Sequence, residues 1–114
     1  MEVTEVVSNE DFTIVRLSGH LDVMGMHEID AEFHRVAAAQ GKHCIVDLSG
    51  VEFIASLGVG MLISCAQSLS RNGKKMVLMS PNETVREVLV AVGLDSAIPI
   101  VETEDEARPL LASS

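Results

Sequence analysis

The chain has 114 residues, room for a single domain spanning 1–114 with one modest core. Hydrophobic residues make up 47% and charged residues 22%, with no Trp or Tyr and three Phe; this excludes a disordered polar segment and indicates an aliphatic core in which methionine partly replaces aromatic rings. Seventeen acidic against eight basic side chains give a formal charge of -9, which repels phosphate backbones, so nucleic acid is not an expected partner and a basic protein surface is.

Cys44 and Cys65 form no Cys-x-x-Cys pair and have no flanking ligand cluster, so two buried thiols in a reducing cytoplasm are expected, not a disulfide framework or a thiolate metal site. The opening "MEVTEVVSNEDF" has no basic region followed by an apolar run, and no stretch of eighteen apolar residues occurs. The expectation is a cytoplasmic, untargeted chain with no membrane insertion.

In chain order, "EVTEVV", the turn "SNED" and "FTIVRLS" read as an antiparallel hairpin. Met26, Ile29, Phe33, Val36 and Ala37 then recur at helical spacing, with Glu28, Glu32 and Arg35 outward, giving a first helix over roughly 24 to 40 that Gly41 closes. "HCIVDLS" is a nearly continuous apolar run of strand length, as expected for a strand covered on both faces. A second helix follows. Its inward stripe is Val59, Leu62, Ile63, Ala66 and Leu69, its outward face Gly60, Ser64, Gln67 and Arg71, and its stop Gly73. After the strand "KKMVLMS", Ser80 with Glu83 forms a capping pattern, Pro81 fits a first turn, Val85, Val88, Leu89 and Val92 face inward, and Gly93 ends the helix. "IPIV" supplies a short last strand, with Pro99 suited to an edge, and Thr103 with Glu106 caps a final short helix.

The expected fold is therefore α/β: one open, mixed and mostly parallel sheet of about five strands with four helices. In such sheets the loops leaving the strand C-termini gather on one edge, where ligands and partners bind. "SGHLD" (18 to 22), "SGVEFIAS" (49 to 56) and "SPN" (80 to 82) belong to that edge, which places Ser56 close to Asp22.

Ser56 opens the second helix, and several chemistries fit a serine there. As an N-cap it would accept a backbone N–H from Gly58 or Val59, worth about 1 kcal/mol. A nucleophile elbow, Gly-x-Ser-x-Gly, is excluded because Ile54 occupies the first glycine position and the chain is too short for a hydrolase sheet and triad. A phosphate loop fails too: Gly58-Val59-Gly60 lacks the third glycine, and no Gly-Lys-Ser/Thr follows. Modification remains. A phosphate would add about -1.5 to -2 charge at a helix N-terminus, where amides and the dipole can hold it while the same charge repels a docked partner.

The stretches "VRLSGHLDV", "CIVDLSGVEFIASLGVGMLI" and "GKKMVLMSPNETVREVLVAVGLD" resemble the STAS domain of bacterial anti-sigma factor antagonists over nearly the whole chain. In that family a strand ending in Asp-Leu-Ser leads to an Asp-Ser-Ser-Gly-Leu-Gly type motif. Ser56 takes the phosphoacceptor place, Gly58, Val59 and Gly60 match Gly-Leu-Gly, and Gly19, His20, Leu21 and Asp22 match the Gly-x-Leu-Asp turn. The family's Asp before the acceptor is Ala55 here, and the residue after it is Leu57. The resemblance implies a partner-switching regulator without enzyme activity or cofactor. It binds an anti-sigma factor that is also a serine kinase, is released by phosphorylation of Ser56, and is restored by a metal-dependent serine phosphatase. The expected partner-binding set is Asp22, Ala55, Ser56, Leu57, Gly58 and Gly60 from these motif positions, with Met24 and Met61 added as methionines near the same edge. Met61 stands out because it lies off the inward stripe, and methionines suit adaptable surfaces. The alternative is a STAS module that is never phosphorylated, such as an accessory subunit of a membrane transport complex or a scaffold in a sensory assembly.

Other candidates read as structural. Asp47 lacks the carboxylate pair of a receiver and is expected to bind amides of the following turn. His20, His27 and His34 are spaced by seven, too far for helical His ligands, so no metal is expected.

Overall fold

The computed structural model describes residues 2–8, 11–21, 32–33, 35 and 42–112. Five strands, β1 (Glu2–Ser8), β2 (Phe12–Leu21), β3 (His43–Ile54), β4 (Met76–Met79) and β5 (Ile100–Val101), lie in the sheet order of the chain. β1 is antiparallel to β2; the other four strands are parallel. Three helices are described, α1 (Ser56–Arg71), α2 (Glu83–Ala91) and α3 (Glu104–Ala112), with a 3-10 turn at Leu94–Ser96. Four helices were expected. Of the stretch 24 to 40, Glu32, Phe33 and Arg35 are helical, with Phe33 fully buried, and the remainder, like Gly41, lies outside the described residues.

Alternation along the strands divides the core. Cys44, Val46 and Leu48 of β3 face α1 and α2, where they meet Val59, Leu62, Cys65, Leu69, Val85 and Leu89. Ile45 points the other way, to Phe12, Val77 and the Ala107 and Leu111 side chains of α3. Both faces are thus covered, which accounts for the unbroken apolar runs.

The parallel ladder runs further than sequence pattern suggests. Residues 18 to 22 and 49 to 56 were expected as loops, yet β2 reaches Leu21 and β3 reaches Ile54, with Leu21 paired to Ile54. Two register shifts make this fit, between Arg16 and Ser18 and between Gly19 and His20. Each puts an extra residue into β3, and such bulges are invisible to a period-2 pattern. Gly50 sits at the first of them. A Cβ there would lie 2.9 Å from the Leu17 carbonyl oxygen and 3.0 Å from Ser18 Cβ, so the strands close only around glycine.

Helix ends correct two further expectations. Ala55, not Ser56, is the N-cap of α1, and Ser56 is its first helical residue. Asn82, not Ser80, caps α2: its side chain accepts the Val85 N–H at 2.8 Å. Ser80 instead takes a left-handed conformation, φ 56°. At α3, Glu106 N–H reaches Thr103 Oγ1 at 3.2 Å while Glu106 Oε1 accepts the Thr103 N–H at 3.2 Å, the reciprocal cap read from sequence. Gly73 and Gly93 have φ of 73° and 76° just past their helices, as expected.

Candidate functional site

Ser56 stands exposed at the first position of α1, on the edge where β3 ends. A helix leaves its first N–H groups without intrahelical partners. Here the N-cap Ala55 makes no side-chain cap and the first turn holds no acidic residue, so nothing anionic in the helix itself competes for that partly positive end.

Around the hydroxyl, Leu57 is 52% exposed and Phe53 45% exposed. Gly60, one turn further, is exposed, and a Cβ built on it meets no atom within 4 Å. Ala55 is half-buried and Gly58 buried. Met61 is 3% exposed and belongs to the core, which corrects its expected place on the partner surface. The buried face of α1 is Gly58, Val59, Met61, Leu62, Cys65 and Leu69, while Ile63 and Ala66 are only half-buried. Both stripes have helical spacing; docking on the sheet selects the one carrying Met61 and Cys65. Asp22 and Met24 lie outside the described residues, as do His27 and His34. The Leu21–Ile54 pairing nevertheless sets the strand ends just before Asp22 and Ser56 side by side.

Phe53 escaped sequence reasoning. Val51 and Phe53 are two apart and would share a face in a regular strand, but Val51 pairs with Gly19 and Phe53 with His20. The extra residue, Glu52, breaks the alternation: Val51 is buried and Phe53 is exposed, three residues ahead of Ser56.

Two polar groups hold this end of β3. Asp47, 2% exposed, accepts Arg16 Nε at 2.8 Å and the Ser49 N–H at 2.9 Å, the latter at the first bulge. Burial pushes its carboxyl pKa up, but the hydrogen bonds from Ser49 and then Arg16 outweigh it, and the net shift is downward. Asn82 Nδ2 donates to the Val51 carbonyl at 3.1 Å. Among the described residues no group of three His, Cys, Asp or Glu gathers to hold a metal ion, and no helix is long and apolar enough to cross a membrane.

The anti-sigma F factor antagonist of Paenibacillus polymyxa is 28% identical over 107 residues, covering 90% of this chain and 89% of that protein. An anti-sigma factor antagonist from Mycobacterium paratuberculosis superposes with a TM-score of 0.84 at 23% identity, covering 96% of this chain and 92% of that one. The Bacillus cell fate determinant SpoIIAA in its phosphorylated form gives a TM-score of 0.67 at 26% identity, with coverage of 92% and 96%. The STAS domain model matches residues 4–107, and the chain belongs to the STAS domain family.

Proposed function

We propose that the chain is a non-enzymatic anti-sigma factor antagonist that docks on an anti-sigma factor through Phe53, Ser56, Leu57 and Gly60, and that phosphorylation of Ser56 by that partner, acting as a serine kinase, ends the complex. The observation that carries this reading is the exposed Ser56 at the opening of α1, with exposed Leu57 next to it and exposed Phe53 three residues before it in the chain. An antagonist name on the Paenibacillus relative and a phosphorylated form of SpoIIAA support it. A metal-dependent serine phosphatase would reset the cycle in the cytoplasm.

The switch works by local electrostatics. A phosphate at the first helical position adds about -1.5 to -2 charge where backbone amides and the helix dipole can accommodate it, so the fold is retained. The same charge enters a stretch of chain that also exposes Phe53 and Leu57. A partner that buries those side chains would have to desolvate a dianion, which opposes rebinding.

The test is mass spectrometry after incubation with ATP and an anti-sigma factor of the serine-kinase type from the same organism. One added phosphate is expected on the wild type and none on Ser56→Ala; a wild type that stays unmodified defeats the phospho-switch. Ala55 and Leu57 favour a second reading, a STAS binding module that is never phosphorylated, serving a membrane transport complex or a sensory assembly. Under that reading Ser56→Asp binds the partner as well as wild type does.

A further inference from the structure

We infer that Asn82 is a positioning residue of the Ser56 surface: its side-chain amide takes over from β4, whose ladder ends at Asp47, and holds residues 48–54, and so Phe53 and Ser56, in the pose a partner meets. The inference rests on the proposed docking role of that surface, but its structural half stands on its own.

On one side β3 is paired with β2 as far as Ile54. On the other, the ladder with β4 ends at Asp47 paired with Met79, so the last seven residues of β3 run past the end of β4. A buried strand carbonyl without a ladder partner needs another donor. Val51 is 1% exposed, and Asn82 Nδ2 supplies that donor at 3.1 Å while Asn82 Oδ1 accepts the Val85 N–H at 2.8 Å. One side chain thereby ties the first turn of α2 to the strand that delivers Ser56.

The connection between β4 and α2 is built to present it. Ser80 occupies a left-handed conformation unusual for a residue with a side chain, φ 56°. It is held there by its N–H bonded to the Val101 carbonyl at 2.9 Å and by its hydroxyl donating to the Glu102 carbonyl. Pro81 is buried behind it. A strained residue kept in place by two bonds, followed by a bifunctional amide, points to a loop whose shape serves the neighbouring edge.

Capping alone would not need the amide, because Asp and Ser cap a helix about as well as Asn. Asn82→Asp and Asn82→Ser therefore keep an acceptor for Val85; the first removes the donor to Val51, and the second, without adding charge, replaces it by a hydroxyl on a side chain one bond shorter. Amide exchange followed by NMR should show Val85 as protected as in wild type, while Phe53 and Ile54 exchange about 3- to 10-fold faster, the loss of one hydrogen bond in a locally opening segment. With ATP and an anti-sigma factor of the serine-kinase type from the same organism, the KM for the variants as substrates should rise by a similar factor. Unaltered exchange at Phe53 and Ile54 in both variants overturns the inference, and so does an equal loss of protection at Val85. If wild type accepts no phosphate, the phospho-switch fails while the exchange measurement still decides the role of Asn82.

Discussion

Arg16 Nε lies 2.8 Å from Asp47 Oδ2, and the two residues are direct partners across the β2–β3 ladder. Asp47 is almost wholly buried and Arg16 half-exposed, so the carboxylate depends on its partners while the guanidinium keeps water. Because the folded carboxyl titrates below its ordinary range, the unfolded chain binds the proton first as pH falls. The stability this provides is complete above the unfolded carboxyl pKa of about 3.9 and is lost as pH drops through the lower folded value. Asp47→Asn should cost about 1 to 3 kcal/mol at pH 7, with the deficit narrowing under acid. Urea unfolding at pH 7 and pH 3 measures both; a pH-independent deficit would contradict this origin.

His43 predicts the neutral side of the same logic. Its Nδ1 accepts the Lys75 N–H at 3.0 Å, so the ring is held unprotonated at that nitrogen. Burial lowers its pKa first, Lys74 and Lys75 add to the shift, and Asp11 opposes it. Since the folded value lies below the unfolded 6.5, stability is full above pH 6.5 and declines as pH falls from there to the folded value. His43→Asn offers an oxygen near the Nδ1 position and cannot titrate. Its unfolding midpoint should be flatter than wild type between pH 7.5 and 5.5, and two parallel curves would refute the assignment.

Two glycines should respond oppositely to alanine. At Gly50 the added Cβ meets backbone, the Leu17 oxygen at 2.9 Å, and the variant should lose about 1 to 3 kcal/mol through overpacking. At Gly60 the Cβ has open space in the interior of α1, so stability should rise by about 1 kcal/mol. That same methyl lies on the proposed docking face, and a partner approaching closely there should bind more weakly. Thermal melts paired with titration calorimetry against the anti-sigma factor separate the two effects.

Phe53 and Leu57 are exposed enough that serine at either position should leave the melting temperature within a degree or two. If they anchor the partner, each loss should cost more than about 1 kcal/mol of binding, roughly fivefold or more in Kd. Equal affinity for Phe53→Ser, Leu57→Ser and wild type would remove this surface from the interface.

Features that depend on near neighbours were legible in the sequence. The apolar runs of β3 and β4, the Thr103–Glu106 cap of α3, the left-handed glycines 73 and 93 and a helix opening at Ser56 all follow from propensity and spacing within a turn or two. Tertiary structure decided whatever depends on register between distant segments. The two bulges between β2 and β3 turned expected loops into strand and brought Phe53 out to the surface. Docking of α1 on the sheet chose between two equally periodic stripes and put Met61 inside. The early end of β4 left β3 overhanging, and Asn82 became its partner across thirty-one positions of chain. Period and capping are local properties of backbone geometry, whereas a bulge, a buried face or a bridging amide is selected by the packing of segments that the sequence holds far apart.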